Sequence, residues 1–184
     1  MGGSNWIESY SKEAIFAGEM IDPMQSLEAM HKDTVVLGCG NLLFGDDGFG
    51  SCVAEHLQNA GALPENVSVV NAATRVREIL FDLILSEYKP RRIIVVDAVD
   101  VRRRPGEVFR ISLDELPKNK IDDFTLHDMP TSNLLRELRD LCGVEVIIVA
   151  GQVEYIPETV SPGLSKALAE GVAVAAGEVL LACR

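Results

Sequence analysis

The sequence predicts a three-layer α/β/α fold: a twisted, mostly parallel sheet of about five strands between two layers of helices. Three observations predict it. Short β-branched and aliphatic runs at residues 34–37, 67–70, 93–96 and 146–150 alternate with longer segments whose apolar residues recur at helical spacing, the signature of successive βαβ units. The run at 93–96 is apolar at every position, as a strand buried on both faces must be, which makes it central in a parallel sheet. Proline and glycine punctuate the runs, at Pro90 and at Pro105-Gly106, where helices stop and chains turn.

The elements follow in order. Residues 34–37 form a strand ending at Gly38, and a glycine-rich loop occupies 38–48. Phe49, Val53 and Leu57 recur at i, i+4, i+8, the apolar face of an amphipathic helix. A turn over 59–65 leads to a strand at 67–70 that ends at Asn71. Val76, Ile79, Leu80, Leu83 and Ile84 mark the next helix, which Pro90 stops. The strand at 93–96 ends in the Asp97-Ala-Val-Asp100 run. After the Pro105-Gly106 turn, residues 107–112 alternate as an edge strand. A polar loop covers 117–123. His127 and Pro130 then approach a helix carrying Leu134, Leu135, Leu138 and Leu141; proline suits a first helical turn. The strand at 146–150 ends in Gly151-Gln-Val-Glu154. Ser161-Pro162 opens a last helix with Leu164, Leu168, Val172, Val179 and Leu180 on one face. Residues 1–32 have weak periodicity and read as an N-terminal arm, flexible or loosely helical. Residues 33–184 form a single α/β domain.

The 184 residues are 47% hydrophobic and 24% charged, ordinary for a globular domain with its own core. The net charge of -11 argues against nucleic acid, whose phosphates need clustered Lys and Arg. The basic clusters Arg91-Arg92 and Arg102-Arg103-Arg104 are short and read as solvated turns. No apolar stretch approaches the roughly 18–20 residues of a membrane span. The opening residues lack the basic start and apolar block of a signal peptide, so the expected location is cytoplasmic. Cys39, Cys52, Cys142 and Cys183 are scattered without a CxxC pair, as reduced thiols are, and their spacing does not suit structural zinc.

Polar residues gather where strands end: Asn41, Asp46 and Asp47 after the first, Asn71 after the second, Asp97 and Asp100 after the third, Gln152 and Glu154 after the last. In a parallel sheet these share one edge, the edge at which such folds bind ligands. Gly38-Cys-Gly40 resembles the start of a dinucleotide-binding loop, but position 43 is Leu43, Asp46 and Asp47 would repel a pyrophosphate, and Asn71 stands where a ribose-binding acid belongs. Asp46 reads as a helix N-cap. Asp47 reads equally as first-turn charge and as a metal ligand. An acid, a histidine and further oxygen donors at one edge suit a divalent metal, nickel or zinc rather than calcium.

Val36-Leu-Gly-Cys-Gly-Asn-Leu-Leu-Phe-Gly-Asp-Asp-Gly-Phe-Gly50 resembles the opening signature of the hydrogenase maturation endopeptidases, which trim the C-terminal tail of a nickel-hydrogenase large-subunit precursor. The resemblance continues through the run at 97–100, Pro105-Gly106 and Thr125-Leu-His127. The Gly45-Asp-Asp-Gly-Phe form is similar to the branch serving coenzyme F420-reducing hydrogenases. The resemblance implies an α/β fold and catalytic residues Asp47 and His127. It implies metal ligands at Asp47, His127 and the Asn71 position, with Asp97 or Asp100 as alternatives. Asn71 is a departure, because the family typically has Asp there and an amide carbonyl brings no charge. The implied metal is nickel belonging to the substrate rather than a retained cofactor. The implied partner is the large-subunit precursor, with neither nucleic acid nor membrane involved.

The chain has no GxSxG nucleophile motif. Cys39 reads as a small packing residue; pairing in space with His127 would leave a cysteine peptidase open. Two other readings keep the fold and drop catalysis: a chaperone-like binder that shields the nickel site, marked by Asn71, and a nucleotide-binding domain.

Overall fold

The computed structural model describes residues 30–61, 63–115 and 131–184. Strands β1 (Thr34–Cys39), β2 (Val67–Ala73), β3 (Arg92–Val99), β4 (Val108–Ile111) and β5 (Glu145–Gln152) form one sheet, in the spatial order β2-β1-β3-β5-β4. The first four in that order run parallel, and β4 pairs antiparallel with β5 at the edge. The helices are α1 (Phe49–Ala60), α2 (Val76–Leu85), α3 (Thr131–Asp140) and α4 (Lys166–Ala182).

Two cores follow from the alternation of side chains along β1. Val35, Leu37 and Cys39 join Leu80 and Leu83 of α2 and Leu134, Leu135 and Leu138 of α3. Val36 points the other way, to Phe49, Val53 and Leu57 of α1 and Leu168 and Val179 of α4. Helices therefore cover both faces of the sheet, the expected three-layer arrangement. Each fully buried aliphatic or aromatic side chain contributes about 1.5–3 kcal/mol of transfer free energy. No described helix is long and apolar enough to cross a membrane.

Several boundaries differ from the sequence expectation. β2 continues to Ala73 and β3 to Val99, so Asn71 and Asp97 lie within the strand ends rather than beyond them. α4 starts at Lys166, not at Ser161-Pro162. Ser161 is instead bonded to the glycine-rich loop, donating its N–H to Leu43 O at 2.8 Å and accepting from Gly45 N at 3.0 Å. Ser165 caps α4, its hydroxyl accepting from Leu168 N at 3.2 Å. Leu141 is 78% exposed because α3 ends before it, and Leu180 is 38% exposed because neighbouring Val179 takes the inward position. Arg92 is not merely solvated: it donates to Glu145 at 2.8 Å and to Ala182 O at 2.6 Å, tying β3, β5 and the end of α4 together. Residues 1–29 of the N-terminal arm, the polar loop at 117–123 and His127 lie outside the described residues.

Candidate active site

The site begins with a local irregularity between β1 and β2. Gly38 pairs with Asn71, but Cys39 pairs with Ala73, so Ala72 is skipped. Such a bulge re-aims the chain next to a site. Ala73 takes φ 46, and its carbonyl accepts the Gly40 N–H at 3.1 Å. Gly40 itself has φ 111, and a Cβ there would overlap the main-chain carbonyl of Asp47. Only glycine meets both demands.

The loop then folds back on itself. Asp47 lies in a 3-10 turn, Gly45–Gly48, and its Oδ2 accepts the Asn41 N–H at 2.8 Å. Asn41 Oδ1 in turn accepts the Leu43 N–H at 3.0 Å. Asp47 is half-buried, at the C-terminal end of β1.

Asp46 behaves differently from the N-cap reading. The residue capping α1 is Gly48, with no side-chain cap bond. Asp46 is instead buried, at 1% exposure. Its carboxylate accepts from Glu154 N at 2.8 Å and from Ser165 N at 2.7 Å. Those donors follow β5 and begin α4, so the acid joins distant segments rather than starting its own helix. Nothing in local sequence distinguishes these two uses of an aspartate.

Asn71 is half-buried on β2, yet its Oδ1 is buried and has no hydrogen-bond partner. Asp97, half-buried on β3, accepts the Ala98 N–H at 2.8 Å, which fits a structural acid at a strand end. Because β1 lies between β2 and β3, the Asp47 loop, Asn71 and Asp97 stand at the same edge on three adjacent strands. Among the described residues no group of three His, Cys, Asp or Glu could hold a metal ion; His127 is outside them.

Sequence reasoning missed what Gln152 does. It is buried at 3% exposure. Its Oε1 accepts from Val101 N at 3.0 Å and Arg103 N at 3.1 Å, while its Nε2 donates to Asp100 Oδ1 at 3.1 Å. Asp100 also accepts the Arg102 N–H at 3.1 Å. The Gln152 amide first, and then that main-chain N–H, hold the Asp100 carboxyl below its ordinary value. Asp100 and Gln152 thus build the turn after β3. The available signal was a glutamine ending a buried strand.

The loop is poorly suited to a dinucleotide. A pyrophosphate needs free N–H groups, whereas Asn41 N, Leu43 N and Gly45 N are already donated within the chain. Cys39 is 4% exposed and packs in the core, as expected of a packing residue.

Known proteins resemble this chain in both sequence and fold. A profile of the hydrogenase maturation protease family (HycI) matches residues 52–182. That stretch begins beyond the long glycine-rich motif, so motif and profile are separate signals. The chain is 40% identical over 77% of its length to a Methanocaldococcus jannaschii protein provisionally named a hydrogenase maturation protease, covering 90% of that protein. It is 36% identical over 62% of its length to the coenzyme F420 hydrogenase subunit delta of Methanothermobacter thermautotrophicus, covering 72% of it. Among solved structures, the hydrogenase maturating endopeptidase HybD from E. coli superposes with a TM-score of 0.63 at 25% identity, over 82% of this chain and 91% of that one. With a matching profile over most of its length, a relative at this identity and the same fold, the chain belongs to the hydrogenase maturation protease family and is a protease.

Proposed function

We propose that this protein is an endopeptidase that removes the C-terminal tail of a nickel-loaded hydrogenase large-subunit precursor, with the precursor's nickel as both recognition mark and Lewis acid. The observation that carries this reading is the Asn71 side-chain oxygen, buried without a partner on the strand beside the Asp47 loop. A buried acceptor left unpaired costs ~1–3 kcal/mol, and a cation delivered by a substrate would satisfy it. Asp47 contributes a carboxylate, Asn71 an amide oxygen and His127 an imidazole, a donor set of borderline hardness that suits nickel. The metal would polarise the scissile carbonyl or a bound water. Nickel arrives with the substrate, so the resting protein need not hold it. Support for the substrate class comes from relatives named for the hydrogenases they mature, including the hydrogenase 3 maturation protease of Escherichia coli, 32% identical over 66% of this chain and covering 74% of that protein. The F420 hydrogenase subunit delta favours the F420-reducing branch.

The test mixes the full chain with nickel-loaded precursor and with the same precursor lacking nickel, and records intact masses. Loss of a C-terminal peptide from the loaded form alone is expected. Equal trimming of both forms would remove nickel from the mechanism.

A further inference from the structure

We propose that Asp46 is a positioning residue: its carboxylate locks the turn carrying Asp47 to the segment between β5 and α4, and so fixes the orientation in which Asp47 meets the metal. This rests on the reading of Asp47 given above. Asp46 and Asp47 are consecutive in one short turn but bond to different parts of the chain. Asp47 bonds back to Asn41 N at the sheet edge, whereas Asp46 is buried and bonds to Glu154 N and Ser165 N. A buried carboxylate is costly unless fully bonded, and charge-assisted bonds of 2.7 and 2.8 Å are the strong kind.

An uncharged cap would suffice to start a helix, yet α1 has no side-chain cap. The acid is used instead on donors 108 and 119 positions away. A second tie lies beside it, through the reciprocal main-chain bonds of Ser161 with Leu43 and Gly45. On the far side, the Asp47 carbonyl sits where Gly40 would carry a Cβ. The turn is therefore held from both directions, and its contacts with the segment before α4 run through the Asp46 carboxylate and the Gly45 main chain, of which only the first is a side-chain tie. A small rotation there moves the neighbouring carboxylate, and misplacement of a reacting group by about 1 Å can cost about 100-fold in rate.

The experiment compares Asp46→Asn, Ser165→Pro, Ser165→Ala and Asp47→Ala in full-length protein. Asp46→Asn keeps the shape but turns a donor toward one of the two N–H groups. Ser165 has φ -55, which proline adopts. Ser165→Pro therefore deletes one donor while leaving Asp46 in place, and Ser165→Ala loses the same hydroxyl cap but keeps the donor. Amide hydrogen exchange is read together with kcat and KM on nickel-loaded precursor.

The expected result is faster exchange over 41–48 as well as 154–165 in Asp46→Asn. Its kcat, and that of Ser165→Pro relative to Ser165→Ala, should fall about 10- to 100-fold with KM little changed. If Asp46→Asn does not fold, the Ser165 pair decides. Exchange changes confined to 154–165, or full kcat in Asp46→Asn while Asp47→Ala is inactive, would overturn this proposal alone. Normal processing by Asp47→Ala would overturn it together with the function it rests on.

Discussion

Asp47 Oδ2 accepts the main-chain N–H of Asn41 at 2.8 Å across six positions of chain, so the carboxylate proposed to meet nickel also braces the loop that presents it. Asn at this position can still accept that N–H; Ala cannot. Both Asp47→Asn and Asp47→Ala are expected to lower precursor processing by about 100-fold or more. In denaturant unfolding, only Asp47→Ala should lose stability, by about 1–2 kcal/mol. Undiminished processing by Asp47→Asn would show that the charge is not what the reaction needs.

Asn71 leads to a trade between stability and activity. Replacing an unpaired buried acceptor with an apolar group of similar size removes its desolvation cost. Asn71→Leu should therefore raise stability by about 1 kcal/mol while stopping tail removal. Asn71→Asp should strengthen binding of added Ni²⁺, because a carboxylate brings charge to the site. Calorimetry on the two variants reads both effects, and a destabilised Asn71→Leu would mean that the oxygen is satisfied in solution.

Gly50 and Gly61 separate steric from conformational cost. A Cβ at Gly50 would overlap the Val96 carbonyl and stand 2.6 Å from Cys39 N, whereas Gly61 has open space but φ 64. Gly50→Ala is expected to destabilise by about 4 kcal/mol or more, as severe core overlaps do. Gly61→Ala should cost about 1–2 kcal/mol from the left-handed backbone alone. Melting curves that rank them the other way would refute the close approach of α1 to the sheet.

The turn after β3 should respond to acid. The folded Asp100 carboxyl titrates below its ordinary value of 3.8. The stabilisation it supplies is therefore present above that value and is lost as pH falls through the lower folded-state one. The Val101 and Arg103 amide resonances should shift in this acid range, and Asp100→Asn should abolish the shift. An unchanged titration in the variant would assign it to another group.

The layers of this fold were readable because they depend on periodicity. Phe49, Val53 and Leu57 declare a helix face, and the apolar run at 93–96 declares a central strand. The start of α4 differs from what local chemistry suggests: Ser161-Pro162 has the residues of a helix start but is drawn into bonds with Leu43 and Gly45, which no local pattern reveals. The same holds for Asp46 and Gln152: each is a polar residue whose partners lie far along the chain. Asp47 and Asn71 could be placed on one edge from topology alone, because parallel strands end together.

The approach of α1 to the sheet has a wider consequence. At Gly38 and Gly50 the nearest neighbours of a missing Cβ include the main-chain atoms of Gly50, Val96 and Cys39, so the spacing between helix and strands is set by backbone against backbone. Aliphatic residues in either core can be exchanged over evolutionary time, altering packing on both faces, without changing that spacing. The location of the Asp47 turn is thereby insulated from drift in the hydrophobic interior, and sequences that share little beyond these glycines can still present an acid at the same place.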